Sequence, residues 1–142
     1  QPWATLIMLG MKRFETRGWK TDHRGELAIH ASVQRLLERD IGNFLRWAGF
    51  AQEDVRKVIA HGFPTGCILG TVHVLNCFEA HPIRLNISKT EKDLGRFSRG
   101  RWAWDLTSRR RTKAIPCVGH QKIWTVPDNI EREIRKQLEA AE

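Results

Sequence analysis

The most informative segment of this chain is residues 10–17, which read Gly-Met-Lys-Arg-Phe-Glu-Thr-Arg. From Arg13 to Trp19, charged or aromatic residues alternate with small or apolar ones. Because successive side chains of a strand point to opposite faces, this alternation predicts a strand with one charged face and one packed face. Glu15 and Arg17 then share the charged face with Arg13 and Trp19.

The segments on either side of this strand carry clear start and stop signals. Pro2–Leu9 is apolar and predicts a short helix, because a proline suits the first turn and Gly10 suits the end. Residues 21–25 have turn chemistry, and Leu27–His30 predicts a buried return strand. We therefore expect the two strands to pair as a hairpin.

The middle of the chain predicts helices followed by a central strand. Apolar residues recur at helical spacing between Ser32, the predicted cap, and Ala48, with an interruption at Gly42. This pattern predicts one broken helix or two short ones. A further helix is predicted at Gln52–Ala60, and Cys67–Phe78, rich in β-branched residues, is predicted to cross the middle of the sheet.

The last third of the chain predicts two more strands and a terminal helix. Residues 83–95 are irregular, Arg101–Leu106 and Lys122–Thr125 predict short strands, and an amphipathic helix begins at Pro127. This order predicts one α+β domain over residues 1–142, and its short strands suit a small barrel with peripheral helices. Periodicity alone leaves a sandwich and a barrel equally open.

The charge of the chain is strongly positive and clustered. Its 142 residues carry a formal net charge of +8. Between Arg96 and Lys113 there are seven basic residues against one acid, Asp105. Such a run attracts polyanions, because each neutralised phosphate releases condensed counterions. The same run also fits a solvated basic face.

The cysteines and the hydropathy of the chain indicate the cellular compartment of the protein. The cysteines are odd in number and far apart, so they predict neither a disulfide framework nor a metal site. No apolar run is long enough to cross a bilayer, and the start lacks a signal-peptide pattern. We expect an intracellular protein, cytoplasmic or, if eukaryotic, nuclear, without a membrane partner, metal or other cofactor. Because the chain begins with Gln1, we also expect some preceding residues to be absent from this sequence.

Residues 10–17 match the pattern G-x-K-x-x-E-x-R, and the chain thereby resembles ASCH domains of the PUA-like superfamily. The resemblance continues in residues 1–4, His23–Gly25, Pro64–Gly70 and Lys122–Trp124, so that it covers nearly the whole chain in one order. It implies a barrel of five or six strands with helices outside it. A cleft along one side of this barrel would be lined by the motif's lysine, glutamate and arginine.

The resemblance also implies a function, since ASCH domains are linked to nucleic-acid binding and superfamily relatives hold a flipped, modified base. We expect a module that holds single-stranded or locally opened RNA or DNA in a basic cleft. Other proteins of a transcription or RNA-processing assembly are further expected partners.

The motif's residue types agree with that function. A carboxylate at Glu15 between Lys12 and Arg17 would stay ionised as an acceptor. Arg17 offers a planar fork for a phosphate or a guanine edge, whereas Lys12 is a compact charge. The same three groups also fit a purely structural ion-pair network. The predicted nucleic-acid contacts are Lys12, Glu15, Arg17, Trp19, Lys20, His23, Arg24, Arg99, Arg101, Trp104, Arg110 and Lys122.

The aromatic residues and histidines divide into core and cleft. Trp19 would be a stacking platform beside two cations, although for Trp19 and Trp104 a place in the core is equally open. Trp3, Trp102 and Trp124 are predicted core residues, as are His30 and His73. His23 is expected at the rim of the cleft and His120 at its mouth.

Two enzymatic alternatives use the same cleft. One branch of the resembled family hydrolyses N4-acetylcytidine with a threonine nucleophile, but this chain has Glu15 at that position, which argues against the reaction. The other alternative is a ribonuclease in which Lys12 stabilises the phosphorane and Glu15 or His23 moves protons. Since Glu15 between two cations is expected to be a weak base, binding without catalysis is the favoured interpretation.

Overall fold

The computed structural model of this chain describes residues 1–34 and 36–142. Residue 35, inside the predicted helical range 32–48, therefore lies outside the described residues. The helices are α1 (Trp3–Met8), α2 (Glu38–Trp47), α3 (Gln52–His61), α4 (Ala80–Ile83), α5 (Lys89–Asp93) and α6 (Asp128–Ala140). The strands are β1 (Phe14–Arg17), β2 (Gly25–Ala31), β3 (Cys67–Glu79) and β4 (Trp102–Pro116). Within the described ranges, every helix is too short or too polar to cross a membrane.

The strands form one antiparallel sheet in the order β1-β4-β3-β2. The α+β class and the central place of β3 are confirmed. The sheet has four strands and is open, so the barrel of five or six strands is not confirmed. One reason lies in residues 122–125, which were predicted as a strand and instead form an irregular segment.

The predicted hairpin between β1 and β2 is wrong. The two strands lie at opposite edges of the sheet, and β1 pairs with the first residues of β4, where Phe14 lies opposite Asp105. β2 pairs with β3 instead, with Gly25 opposite Val74. The turn residues between β1 and β2 reverse the chain, but they do not fix which strand becomes the partner, because the long β4 fills the place beside β1.

The first helical segment also differs from its prediction. α2 runs unbroken through Gly42, which is buried inside it, so the predicted interruption is wrong. Ser32 does not cap a helix, since α2 begins after Leu37. Val33 and Leu37 are 79% and 65% exposed, and their apolar spacing therefore does not mark a buried helix face.

α1 and α6 cover opposite faces of the sheet. Leu69 of β3 packs with Ile7 of α1, whereas its neighbour Ile68 packs with Ile134 and Leu138 of α6. Adjacent residues of a strand point to opposite faces, which explains why one strand supports both helices. The α2–α3 pair forms a separate cluster around Leu6, Ile41, Leu45, Val55 and Val58.

Candidate functional site

A cavity of about 800 Å³ opens beside the charged face of β1. Glu15 and Arg17 line it from β1, and Trp19 lines it from just beyond the strand. The exposed positions of β1 alternate with the buried Phe14 and Thr16, as the sequence predicted. β1 therefore presents its charged side chains to this cavity and Phe14 to the core.

The segment that joins β4 to α6, residues 117–126, forms one wall of the cavity; we call it the strap. Nε2 of His30 on β2 donates a hydrogen bond of 2.7 Å to the carbonyl oxygen of Cys117. The ring of His120 packs edge-on against Trp124, with 5.1 Å between centroids. Nζ of Lys122 lies 5.8 Å from the centroid of the Trp19 ring. These contacts hold the strap across the cavity from β1.

Two tryptophans form the inner aromatic wall. Trp19 and Trp104 meet edge to face, with 4.8 Å between centroids and 84° between ring planes. Trp104 is only 4% exposed, which answers the open question about it in favour of the core. Trp19 is half-buried and keeps part of its surface at the cavity.

Two buried donors in residues of this wall have no hydrogen-bond partner within residues 1–34 and 36–142. They are Nε1 of Trp104 and Nε of Arg101. Both residues line the cavity. Because both atoms are buried, a molecule in the cavity pairs with them only if the surrounding side chains move apart.

The charge of the cavity lining is positive. Among the described residues the carboxylates that line it are Glu15 and Asp93. The cations that line it are Lys12, Arg17, Arg96, Arg101 and Lys122. The excess of cations predicts that the cavity attracts an anion.

Lys12 holds its charge inside the wall of the cavity. Its side chain is 1% exposed, and Nζ donates to the carbonyl oxygens of Phe14 at 2.6 Å and Leu94 at 2.9 Å. Burial lowers the pKa of Lys12, and the nearby carboxylates of Glu15 and Glu91 act in the opposite direction. The Lys12 ammonium therefore ties β1 to residue 94, which differs from the open cation expected from the motif.

Glu15 and Arg17 remain open to the cavity. Their closest charged atoms are 3.9 Å apart, and their side chains are 23% and 55% exposed. An exposed pair of this kind is weak, so the guanidinium is available to another anion. Arg17 thus keeps the role that its planar fork predicts.

The structure brings seven of the twelve predicted contacts into the lining of one cavity and leaves five outside it. The seven are Lys12, Glu15, Arg17, Trp19, Arg101, Trp104 and Lys122. Of the five outside, Lys20 lies over the ring of Trp102, and Arg24 donates to the Thr21 and His23 carbonyls. Arg110 pairs with Glu142, Arg99 is exposed, and His23 is half-buried.

His23 does not join Lys12 and Glu15 in the cavity. Its Nε2 donates to the carbonyl oxygen of Glu26 at 2.8 Å, and it is not among the lining residues. The ribonuclease alternative therefore loses the histidine that was to move protons beside Lys12. His120, predicted at the mouth, does line the cavity.

Sequence reasoning missed several lining residues. Trp3 was predicted in the core, but it is 40% exposed at the cavity, and Trp124 is only half-buried there. His30, Asp93 and Arg96 also line the cavity without having been predicted to do so. Only Arg96 had a signal, as part of the basic run. Apart from Lys122 and His120, the strap residues had none, because the position of the strap depends on contacts between residues far apart in sequence.

Comparison with known proteins places the chain in a family. The ASCH domain model matches residues 1–115. Activating signal cointegrator 1 of Mus musculus is 27% identical over 140 residues, which cover 97% of this chain and 23% of that protein. The Homo sapiens protein of the same name is 26% identical over 140 residues, with the same coverage of 97% and 23%. The chain thus spans about a quarter of the length of these curated relatives. Since the family model covers 115 of its 142 residues, this chain belongs to the ASCH domain family.

Proposed function

We propose that the cavity beside β1 holds nucleotides of a single-stranded or locally opened RNA or DNA. The observation that carries this proposal is the meeting of an accessible tryptophan face with a cationic lining in one cavity. Membership of the ASCH family supports it, because the family resemblance already implied nucleic-acid binding.

The phosphates would be bound by the exposed cations at the cavity. Arg17, Arg96 and Lys122 are exposed and line it. An arginine fork binds two phosphate oxygens at once, whereas a lysine acts as a point charge. Lys12 supports this group from inside the wall, where its ammonium adds to the positive field while its hydrogen bonds stay within the protein.

A base would be bound by stacking and by edge contacts. Stacking on Trp19 is worth about 1–3 kcal/mol and tolerates any base. Glu15 accepts hydrogen bonds, as an acidic residue does from the amino group of cytosine. These contacts require a base whose edge is not already paired.

The size of the cavity also favours an unpaired nucleotide over a duplex. Its volume of about 800 Å³ falls within the range of roughly 300–1,000 Å³ of sites that enclose a small organic molecule. A duplex would have to lie across the opening and would leave Trp19 without a base to stack on. Single-stranded or opened nucleic acid is therefore the occupant that uses both the cations and the ring.

Fluorescence anisotropy with labelled ten-nucleotide RNA and DNA strands tests the proposal. We expect binding at low salt that weakens steeply between about 50 and about 200 mM salt, because bound phosphates release counterions. Arg17→Ala should weaken binding roughly equally for all sequences and reduce the salt slope by about 1. Arg56→Ala, which removes an exposed arginine of α3 outside the cavity lining, should bind as the parent does.

Two results would overturn the proposal. One is absence of binding at low salt, and the other is equal losses for Arg17→Ala and Arg56→Ala. The labelled RNA should also stay intact during the titration, because His23, the histidine predicted to transfer protons, lies outside the cavity lining. Cleavage that persists in highly purified protein would favour the ribonuclease alternative.

A further inference from the structure

A row of aromatic rings leads from the cavity to the outer surface of α2. Trp3 lines the cavity, and its ring meets Phe44 with 5.5 Å between centroids at 85°. Phe44 meets Trp47 with 5.7 Å between centroids at 31°. Trp3 and Trp47 are 40% and 63% exposed, whereas Phe44 between them is half-buried. We call these three residues the aromatic row.

The outer end of the row carries an ion pair whose ammonium is exposed. Nζ of Lys89 lies 5.3 Å from the centroid of the Trp47 ring, and it also pairs with Asp93 at 2.5 Å. Asp93 in turn lines the cavity. At the inner end, Nζ of Lys12 lies 5.9 Å from the Trp3 ring. The row is therefore connected to the cavity through its rings and through its charged neighbours.

Packing within the fold does not explain why a tryptophan occupies the largely exposed position 47. A single exposed apolar residue needs no explanation, but Trp47 continues a surface that begins inside a proposed binding cavity and has an ammonium over its ring. Aromatic faces beside cations are the pattern with which proteins bind successive bases of a single strand. A protein partner would also bury a tryptophan, but the exposed ammonium of Lys89 beside the Trp47 ring favours a polyanion.

We propose that the aromatic row is a second subsite for single-stranded nucleic acid, which stacks a base on Trp47 and brings a neighbouring phosphate to Lys89. The inference rests on the proposed function, because the nucleotide on Trp47 flanks the one in the cavity. It extends the binding surface beyond the cavity to a helix that the G-x-K-x-x-E-x-R motif does not include.

The test uses Trp47→Ala with the labelled ten-nucleotide strands. Loss of one stacking contact should raise the dissociation constant by about fivefold or more. Trp47→Phe should recover part of that affinity, because a smaller ring still stacks. Leu85→Ala, which removes another exposed apolar side chain, 78% exposed, should bind as the parent does. Since Trp47 is largely exposed, all three variants should keep the parent's melting temperature.

A second measurement shows whether the cavity remains occupied. In Trp47→Ala saturated with the unlabelled strand, the indole N–H signal of Trp19 should still shift in ¹⁵N-correlated spectra. A parent that binds no strand rejects the proposed function and this inference together. If the parent binds and the dissociation constant of Trp47→Ala is within twofold of the parent's, the inference alone is overturned. The aromatic row would then be a surface for a protein partner. Loss of the Trp19 shift in Trp47→Ala would also overturn the inference, since the two subsites would not be separate.

Discussion

Lys12 connects the family motif to the main chain of the protein. Its ammonium donates to the carbonyls of Phe14 and Leu94, while Arg109 donates to the carbonyls of Ile7 and Lys12 itself. The buried Lys12 and the half-buried Arg109 thus satisfy carbonyl groups around the end of α1 and the start of β1. The motif's lysine is a structural support of the cavity wall, and Arg17 is its accessible cation.

Replacing Lys12 with methionine should destabilise the fold. The change removes two hydrogen bonds and leaves the Phe14 and Leu94 carbonyls without this donor, at a cost of about 1–3 kcal/mol. Urea unfolding of Lys12→Met measures the loss. Lys20→Met, which changes an exposed lysine, is the matched control, and equal stability of the two variants would contradict the structural role.

The difference in unfolding free energy between the parent and Lys12→Met should depend on pH, because the pKa of Lys12 is lowered in the folded state. Because the folded state releases this proton at lower pH than the unfolded chain, the unfolded state binds more protons just below the ordinary value of 10.5. Stability from this group therefore rises as the pH increases towards 10.5. The unfolding free energy of the parent should therefore increase relative to that of Lys12→Met over this range. A decrease of this difference would contradict the buried position of Lys12.

At the scale of the elements, the sequence predicted the helices and strands whose boundaries depend on neighbouring residues alone. α1, α3 and β3 lie within a residue of their predicted bounds, and α6 begins one residue after its predicted start, because their apolar spacing and end signals are local. The partner of β1 and the course of the strap were not predictable in this way. Both depend on contacts between residues far apart in sequence, such as His30 with Cys117.

At Gly70, β3, β4 and α1 approach one another closely. Its φ is +148°, and an added Cβ would lie 2.3 Å from the Arg110 carbonyl oxygen and 2.6 Å from Cε of Met8. The ladder between β3 and β4 changes register beside it. A side chain at this position would push apart the sheet and the helix that support the cavity.

Gly70→Ala should therefore lose more stability than Gly25→Ala. Both glycines have positive φ, but no atom lies within 4 Å of a Cβ added at Gly25. The comparison separates crowding from backbone strain, and crowding should cost about 1–3 kcal/mol more at Gly70. Thermal unfolding of the two variants measures the difference. Equal losses would mean that backbone conformation alone requires the glycine at position 70.

Across the whole molecule, the positive charge divides into structural and accessible groups. The basic run from Arg96 to Lys113 predicted one patch, but the chain distributes it around the fold. Arg109 donates a hydrogen bond to the Ile7 carbonyl, and Arg110 pairs with Glu142. Arg96 and Arg101 line the cavity. The sequence predicted that the protein carries a basic surface, and only the fold shows which cations share a cavity with Trp19.

The six tryptophans provide the most direct test of the claim that this cavity receives nucleic acid. Titration of ¹⁵N-labelled protein with a ten-nucleotide single strand should shift the indole signals of Trp19, Trp104 and Trp124, which line the cavity. The signal of Trp102, which is not among the lining residues, should stay in place. Binding by anisotropy with no shift at Trp19, Trp104 or Trp124 would contradict the account, because the strand would then bind elsewhere on the basic surface.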